Sequence, residues 1–258
     1  GRARKILGAL ARPFTSAGGE KKPALLLFIF LCIYGAAALA LPMERILHRP
    51  SSLVVTDMRG APLRGTLSAE GEWLLPVPMS EMGRWMPAAA VAIEDRRFYA
   101  HRGMDWLSVA RAARQNVTEG RVVSGASTIT SQVVRLAVPR ERTLPNKLLE
   151  FTPAAALEFI LTKDEILEIY LNSVPFGGNT RGVEAAARTW FGKPAKELSL
   201  AEAALLTALL RGPSYYRPDR HPARALELRD RLIDTLAEPG IATEAEAPRA
   251  TLEPPPNP

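Results

Sequence analysis

The chain has one cysteine, three histidines and few aromatic residues, 7% of its 258 positions. A lone thiol excludes a disulfide scaffold and any zinc site built on paired thiolates. His48, His101 and His221 lie far apart and have no metal-ligand spacing. Basic charge is also scarce away from one end. The formal net charge is +6, but residues 1–22 hold Arg2, Arg4, Lys5, Arg12, Lys21 and Lys22 against Glu20, a net of +5. The remaining 236 residues therefore carry only +1. A nucleic-acid-binding domain needs its basic face on the folded part, so nucleic acid is not an expected partner. No internal repeat is found, and 47% hydrophobic with 23% charged residues is a globular composition.

What is present, first, is one long apolar run. ALLLFIFLCIYGAAALAL, residues 24–41, has eighteen positions without a charge, between Pro23 and Pro42. At 1.5 Å per residue a helix of this length covers about 27 Å, close to the hydrocarbon thickness of a bilayer. Positive charge before the run and little after it places the N-terminus in the cytoplasm and the rest outside. The rival is a cleavable signal peptide, for which Ala38-Leu39-Ala40 has the small-x-small form. The long basic leader and the length of the run favour a retained anchor. The expected organisation opens with a cytoplasmic tail over 1–22 and a transmembrane helix over 23–42, which contains Cys32.

Residues 43–80 are expected to form a membrane-proximal β element. SLVVTD, APLRGTL and EWLLPVP read as short strands of one marginal sheet, punctuated by Gly60, Gly65 and Gly71, with Pro76 and Pro78 confining the last to an edge. From Glu81 the periodicity becomes helical. Pro87 suits the first turn of a helix running into Glu94. Thr162 to Glu165 and Ser199 to Glu202 are capping boxes opening TKDEILEIYLN and SLAEAALLTALL, and PARALELRDRLIDTLA reads as a further helix. Residues 81–240 form the main domain. The end, 241–258, contains PRATLEPPPNP and reads as a proline-rich linker.

The polar clusters are ordinary one at a time. Glu94 and Asp95 beside Arg96 and Arg97 suit a solvated helix face, His101 suits a capping role, and Lys147 and Glu150 suit a surface ion pair. Their order is not ordinary. EDRRFYAHRG at 94–103, GASTITSQ at 125–132, NKLLE at 146–150 and ILEIYLN at 166–172 resemble four successive motifs of glycosyltransferase family 51, the peptidoglycan glycosyltransferases. The first matches E-D-x-x-F-x-x-H-x-G at Glu94, Asp95, Phe98, His101 and Gly103. The second has Ser131 where the family has glutamine, and the third has Asn146 where the family has arginine. The resemblance covers about residues 42–240 and is nearest to the C-type class A penicillin-binding proteins.

The resemblance implies a mainly α, lysozyme-like glycosyltransferase fold and the polymerisation of lipid II into β-1,4 glycan strands, releasing undecaprenyl pyrophosphate. The donor sugar is α-linked to a good leaving group and the product is β-linked. A single inversion therefore needs a base on the acceptor hydroxyl and positive charge at the pyrophosphate. By resemblance Glu94 is the base, Glu150 the second motif carboxylate, and Lys147, Arg135 and Arg142 face the pyrophosphate. Asp95, Phe98, His101, Ser127, Thr128, Gln132 and Asn172 are the other expected substrate-binding residues. A divalent cation, Mg or Mn, is implied at the donor pyrophosphate beside Glu150, with no organic cofactor. Expected partners are lipid II, the growing strand, membrane lipid and other cell-wall synthesis proteins, at the cytoplasmic (inner) membrane with the catalytic part in the periplasm.

The segment from Met104 to Val117 corresponds to the family's membrane-contacting jaw, though its periodicity suits an ordinary packed helix equally well. The S-x-x-K and K-T-G signatures of a transpeptidase are absent from this sequence, so no transpeptidase activity is expected of it. Two other readings stay open: a lysozyme-like lytic enzyme, and a lipid II-binding scaffold inactivated through Asn146 and Ser131.

Overall fold

The computed structural model describes residues 39–58, 62–120, 127–139, 141, 150–238, 240–243 and 245–254, with single positions between 25 and 36. The fold is mainly helical with a small β component. Its helices are α1 (Met43–Leu47), α2 (Trp85–Glu94), α3 (Trp106–Glu119), α4 (Ile129–Ala137) and α5 (Phe151–Ile160). They continue with α6 (Lys163–Ser173), α7 (Val183–Phe191), α8 (Leu200–Arg211), α9 (Pro222–Ala237) and α10 (Glu246–Thr251). The strands are β1 (Leu53–Thr56), β2 (Pro62–Thr66), β3 (Trp73–Leu74) and β4 (Thr180–Arg181).

Both capping boxes form as their chemistry requires. Thr162 and Glu165 open α6, Ser199 and Glu202 open α8, and each box satisfies otherwise orphaned N–H groups. Such caps stabilise a helix by about 0.5–2 kcal/mol. Two apolar clusters follow. In one, α4 packs against α5 and α6, burying Ile129, Val133, Leu157, Ile166, Leu167 and Tyr170. In the other, alanines of α8 bring α2 and α9 close, burying Ala89, Ala204, Ala208, Leu232 and Ile233. Met86 and Ala90 of α2 belong to the first cluster and Ala89 to the second, so α2 is shared by both.

The β element departs from the expected three-stranded sheet. β1 and β2 form an antiparallel hairpin, while β3 pairs in parallel with β4, more than a hundred residues later. Ser52 makes the join: its N–H donates to Leu74 O at 2.8 Å and its hydroxyl accepts from Leu74 N–H at 3.0 Å. Leu74 is buried beside Gly182 at the start of α7, which anchors β3 to the helical domain, while the Trp73 ring lies against Gly65 of the hairpin.

The described part of the proline-rich end, up to residue 254, also departs from an extended linker. Glu246, the first residue of α10, accepts the N–H and hydroxyl of Thr243, Ala247 and Ala250 bury against the second cluster, and buried Arg229 donates to the carbonyls of Thr251 and Glu253. Pro248 falls in the first turn, where its missing N–H costs no helix bond. Among the described residues no helix is long and apolar enough to cross a membrane. The anticipated span 23–42 lies partly outside the described residues. Within it, positions 25, 28, 29, 32, 33, 35, 36 and 39 are helical, and Leu25, Phe28, Ile29, Ile33 and Leu39 are exposed.

Candidate active site

Helix α2 ends at Glu94, and the chain leaves the helical conformation at Asp95 (φ −155°, ψ 71°). The two carboxylates therefore go different ways. Asp95 is buried, and His101 Nε2 donates to both of its oxygens at 3.0 Å. Oδ2 also accepts the N–H of Ile129 at 3.0 Å, placing an acidic group at the N-terminus of α4, where the helix dipole favours it. Glu94 remains half-buried. Its Oε2 accepts from Gln132 Nε2 at 3.0 Å.

The first and second motifs are tied together twice more. Thr128 Oγ1 donates to Gly103 O at 2.7 Å. Gly103 has φ +72°, and a Cβ there would lie 2.5 Å from Ala155 Cα, so the close approach to α5 requires glycine. Thr128 also caps α4 in a box with Ser131: each side-chain oxygen accepts the other's backbone N–H at 3.1 Å. A cleft of about 650 Å³ opens beside these groups, lined by Glu94, Asp95, Arg97, Arg111, Ser127 and Thr128.

One turn along α4 from Gln132, Arg135 Nη1 lies 3.6 Å from Oε2 of buried Glu150. From α6 the Tyr170 hydroxyl donates to Gln132 Oε1 at 3.3 Å. Burial pushes that hydroxyl well above its ordinary value, and the charges of Glu94 and Asp95 push the same way while Arg135 opposes them. Across the cleft Asp105 caps α3, accepting from Leu107 N–H, Ser108 N–H and the Ser108 hydroxyl. Burial works to raise the Asp105 carboxyl, but the Ser108 hydroxyl and N–H, with Arg97 nearby, hold it below the usual carboxylate range.

Residues 60–237 match the family described as Transglycosylase. The chain belongs to the transglycosylase family. Penicillin-binding protein 1C of Escherichia coli K12 is 39% identical to this transglycosylase chain over 227 residues, 88% of this chain and 29% of that protein. Penicillin-binding protein 1A of Aquifex aeolicus is 40% identical over 206 residues, 80% of this chain and 28% of that protein. A Cupriavidus necator protein bearing the name transglycosylase is 41% identical over 179 residues, covering 69% of this chain and 77% of it. The chain thus spans less than a third of each of those two penicillin-binding proteins.

The transglycosylase structure brings Glu94, Asp95, Ser127 and Thr128 to one cleft, puts Gln132 against Glu94, and sets Arg135 beside Glu150. It places other expected substrate-binding residues elsewhere. Phe98 is fully buried in the core, its ring under the Lys163 ammonium at 4.3 Å, and offers no surface to a ligand. Asn172 clamps Val77, accepting its N–H at 3.1 Å and donating to its carbonyl at 2.8 Å. Asp95, His101 and Thr128 spend the polar groups just described on bracing the loop. Arg142, Asn146 and Lys147 lie outside the described residues. Ser131 is buried in the capping box, so the departure there alters a helix start rather than the cleft. Tyr170 was not singled out by sequence reasoning; its one signal is its place inside ILEIYLN. Among the described residues no three His, Cys, Asp or Glu side chains converge as a metal cage.

Proposed function

We propose that this chain is a peptidoglycan glycosyltransferase that polymerises lipid II by a single inverting transfer. The observation that carries the reading is Glu94: in a chain of the transglycosylase family, its carboxylate faces a cleft with one oxygen held by Gln132. Glu94 takes the proton of the acceptor 4-hydroxyl as that oxygen attacks the donor's anomeric carbon and the bond to pyrophosphate breaks. Arg135 stabilises the departing pyrophosphate, with Arg142 and Lys147 assigned the same task by motif position. A guanidinium suits it because its planar fork meets phosphate oxygens in pairs. Glu150 orients Arg135, and its carboxylate would also be the residue to hold a divalent cation, Mg or Mn, at the leaving group. That cation would supply further positive charge at the leaving group.

The apolar run at 24–41 is proposed to anchor the chain in the cytoplasmic membrane, with the catalytic part on the outer side. Exposed Leu25, Phe28, Ile29, Ile33 and Leu39 support this reading, because such a surface is costly in water. Helix α3 supports it too: Trp106, Leu107 and Val117 are exposed, whereas Ala112 is the buried apolar side chain on that helix. The helix suits an interface more than a packed core.

Incubation with labelled lipid II tests the function. Glycan polymer with release of the lipid pyrophosphate is the expected result. Shortening of added glycan would mark a lytic enzyme, and binding without product a scaffold.

A further inference from the structure

We propose that Tyr170 is a positioning residue for the transfer: acting through Gln132, it fixes which oxygen of Glu94 receives the acceptor's proton. This rests on Glu94 being the base. The arrangement joins three helices, with Tyr170 on α6, Gln132 on α4 and Glu94 at the end of α2.

The donors and acceptors allow one ordering. An ionised carboxylate can only accept, so the Gln132 amide must turn its NH₂ toward Glu94 Oε2, at 3.0 Å. Its carbonyl then faces Tyr170, whose hydroxyl donates to it at 3.3 Å. Tyr170 is fully buried and its hydroxyl is pushed well above its ordinary value, so it remains a donor throughout the working pH range. Oε2 already accepts the amide N–H, which lowers its basicity and makes Oε1 the oxygen that takes the proton.

The tyrosine matters most after the proton has moved. Glu94 is then a neutral acid, and a free amide could rotate so that its carbonyl accepts the new O–H. That bond would hold the proton away from solvent and delay the return of the carboxylate. With its carbonyl held by Tyr170, the amide keeps its NH₂ toward Oε2, so the proton on Oε1 meets no amide acceptor and passes to water. No oxidant or co-reactant is needed: the proton passes from the acceptor hydroxyl to Oε1 and then to water.

Tyr170→Phe, Gln132→Ala and the double variant test this across a range of lipid II concentrations up to saturation, at a temperature where thermal melts show each folded. Tyr170→Phe is expected to lower kcat about tenfold and leave KM within about twofold, the signature of a contact that matters at the chemical step. In the Gln132→Ala background the same change should have no further effect, because the tyrosine acts through the glutamine. A wild-type kcat for Tyr170→Phe overturns the proposal. So does an equal loss in both backgrounds, which a purely structural role gives. Gln132→Glu is the second probe, keeping a partner for Tyr170 while removing the donor to Glu94; wild-type kcat there also overturns it. If Glu94→Gln remains active, the base assignment fails; if it is inactive while Tyr170→Phe keeps the wild-type kcat, only the tyrosine's role fails.

Discussion

Asp95 receives His101 Nε2 on both carboxylate oxygens at 3.0 Å, and the pair is buried beneath the cleft. Because Oδ2 also takes the Ile129 N–H, this one carboxylate joins the first motif to the start of α4. Asp95→Asn would turn an amide N–H toward either the His101 N–H or the Ile129 N–H, leaving a buried donor without an acceptor. The expected cost is about 1–3 kcal/mol. Thermal denaturation should show Tm lowered by several degrees, and polymerisation should fall with it. An unchanged Tm would mean that the loop is held by its apolar packing alone.

Glu94→Gln should abolish polymerisation and leave the fold intact. The amide has nearly the same size and can still meet Gln132, but it cannot take the acceptor's proton. Groups of this kind contribute about 10²–10⁴-fold. The rate of the first glycosidic bond, in a single-turnover assay with circular dichroism as the fold control, decides it. A variant keeping more than about a tenth of the wild-type rate would remove Glu94 from the role.

Local chemistry was the legible part of this sequence. Thr162 with Glu165 and Ser199 with Glu202 announce their helices, because a cap and its partner lie within one turn of chain. The helix Pro222–Ala237 begins at a proline that needs no N–H partner. Long-range pairing was not legible. Two residues at 73–74 meeting two at 180–181 carry no periodic signal, and the expected three-stranded sheet fails for that reason. The site divides along the same line. The motif residues Glu94, Ser127 and Thr128 do meet at one cleft. Motif membership, however, does not separate a residue that touches substrate from one that holds the loop: Phe98 and Asn172 turn inward, while Tyr170 reads as an ordinary core residue and bonds Gln132.

Asp105 gives a pH dependence whose sign is fixed. Its carboxyl is held below the usual range in the folded protein, so the unfolded chain takes up the proton first as pH falls. The stabilisation is complete above the ordinary aspartate value of about 3.9 and drains away as pH drops through the lower folded value. Asp105→Asn keeps a competent cap without the charge. Its stability deficit relative to the wild type should therefore be larger at neutral pH and shrink below about pH 4. Urea midpoints for both proteins across that range are the measurement, and a constant difference would show that the charge contributes nothing.

Hydrogen exchange should split residues 51–78 in two. Leu53 is 65% and Leu63 68% exposed, so the hairpin β1–β2 has little buried apolar surface to oppose its opening. Two-stranded hairpins of this kind are marginal in water. The segment around β3 is different: Trp73 N–H donates to Asn179 O at 2.8 Å, Leu74 N–H to Ser52 Oγ, and Ser52 N–H to Leu74 O. Opening these amides means pulling Leu74 out of the helical domain, so they should exchange by a much rarer event. On detergent-solubilised monomer, peptides covering Leu53–Thr66 should reach full deuteration while those covering Trp73–Leu74 stay protected. Equal, slow exchange in both would show that the hairpin is held by contacts beyond its own pairing. Equal, fast exchange would show that the pairing of β3 with β4 does not anchor the segment.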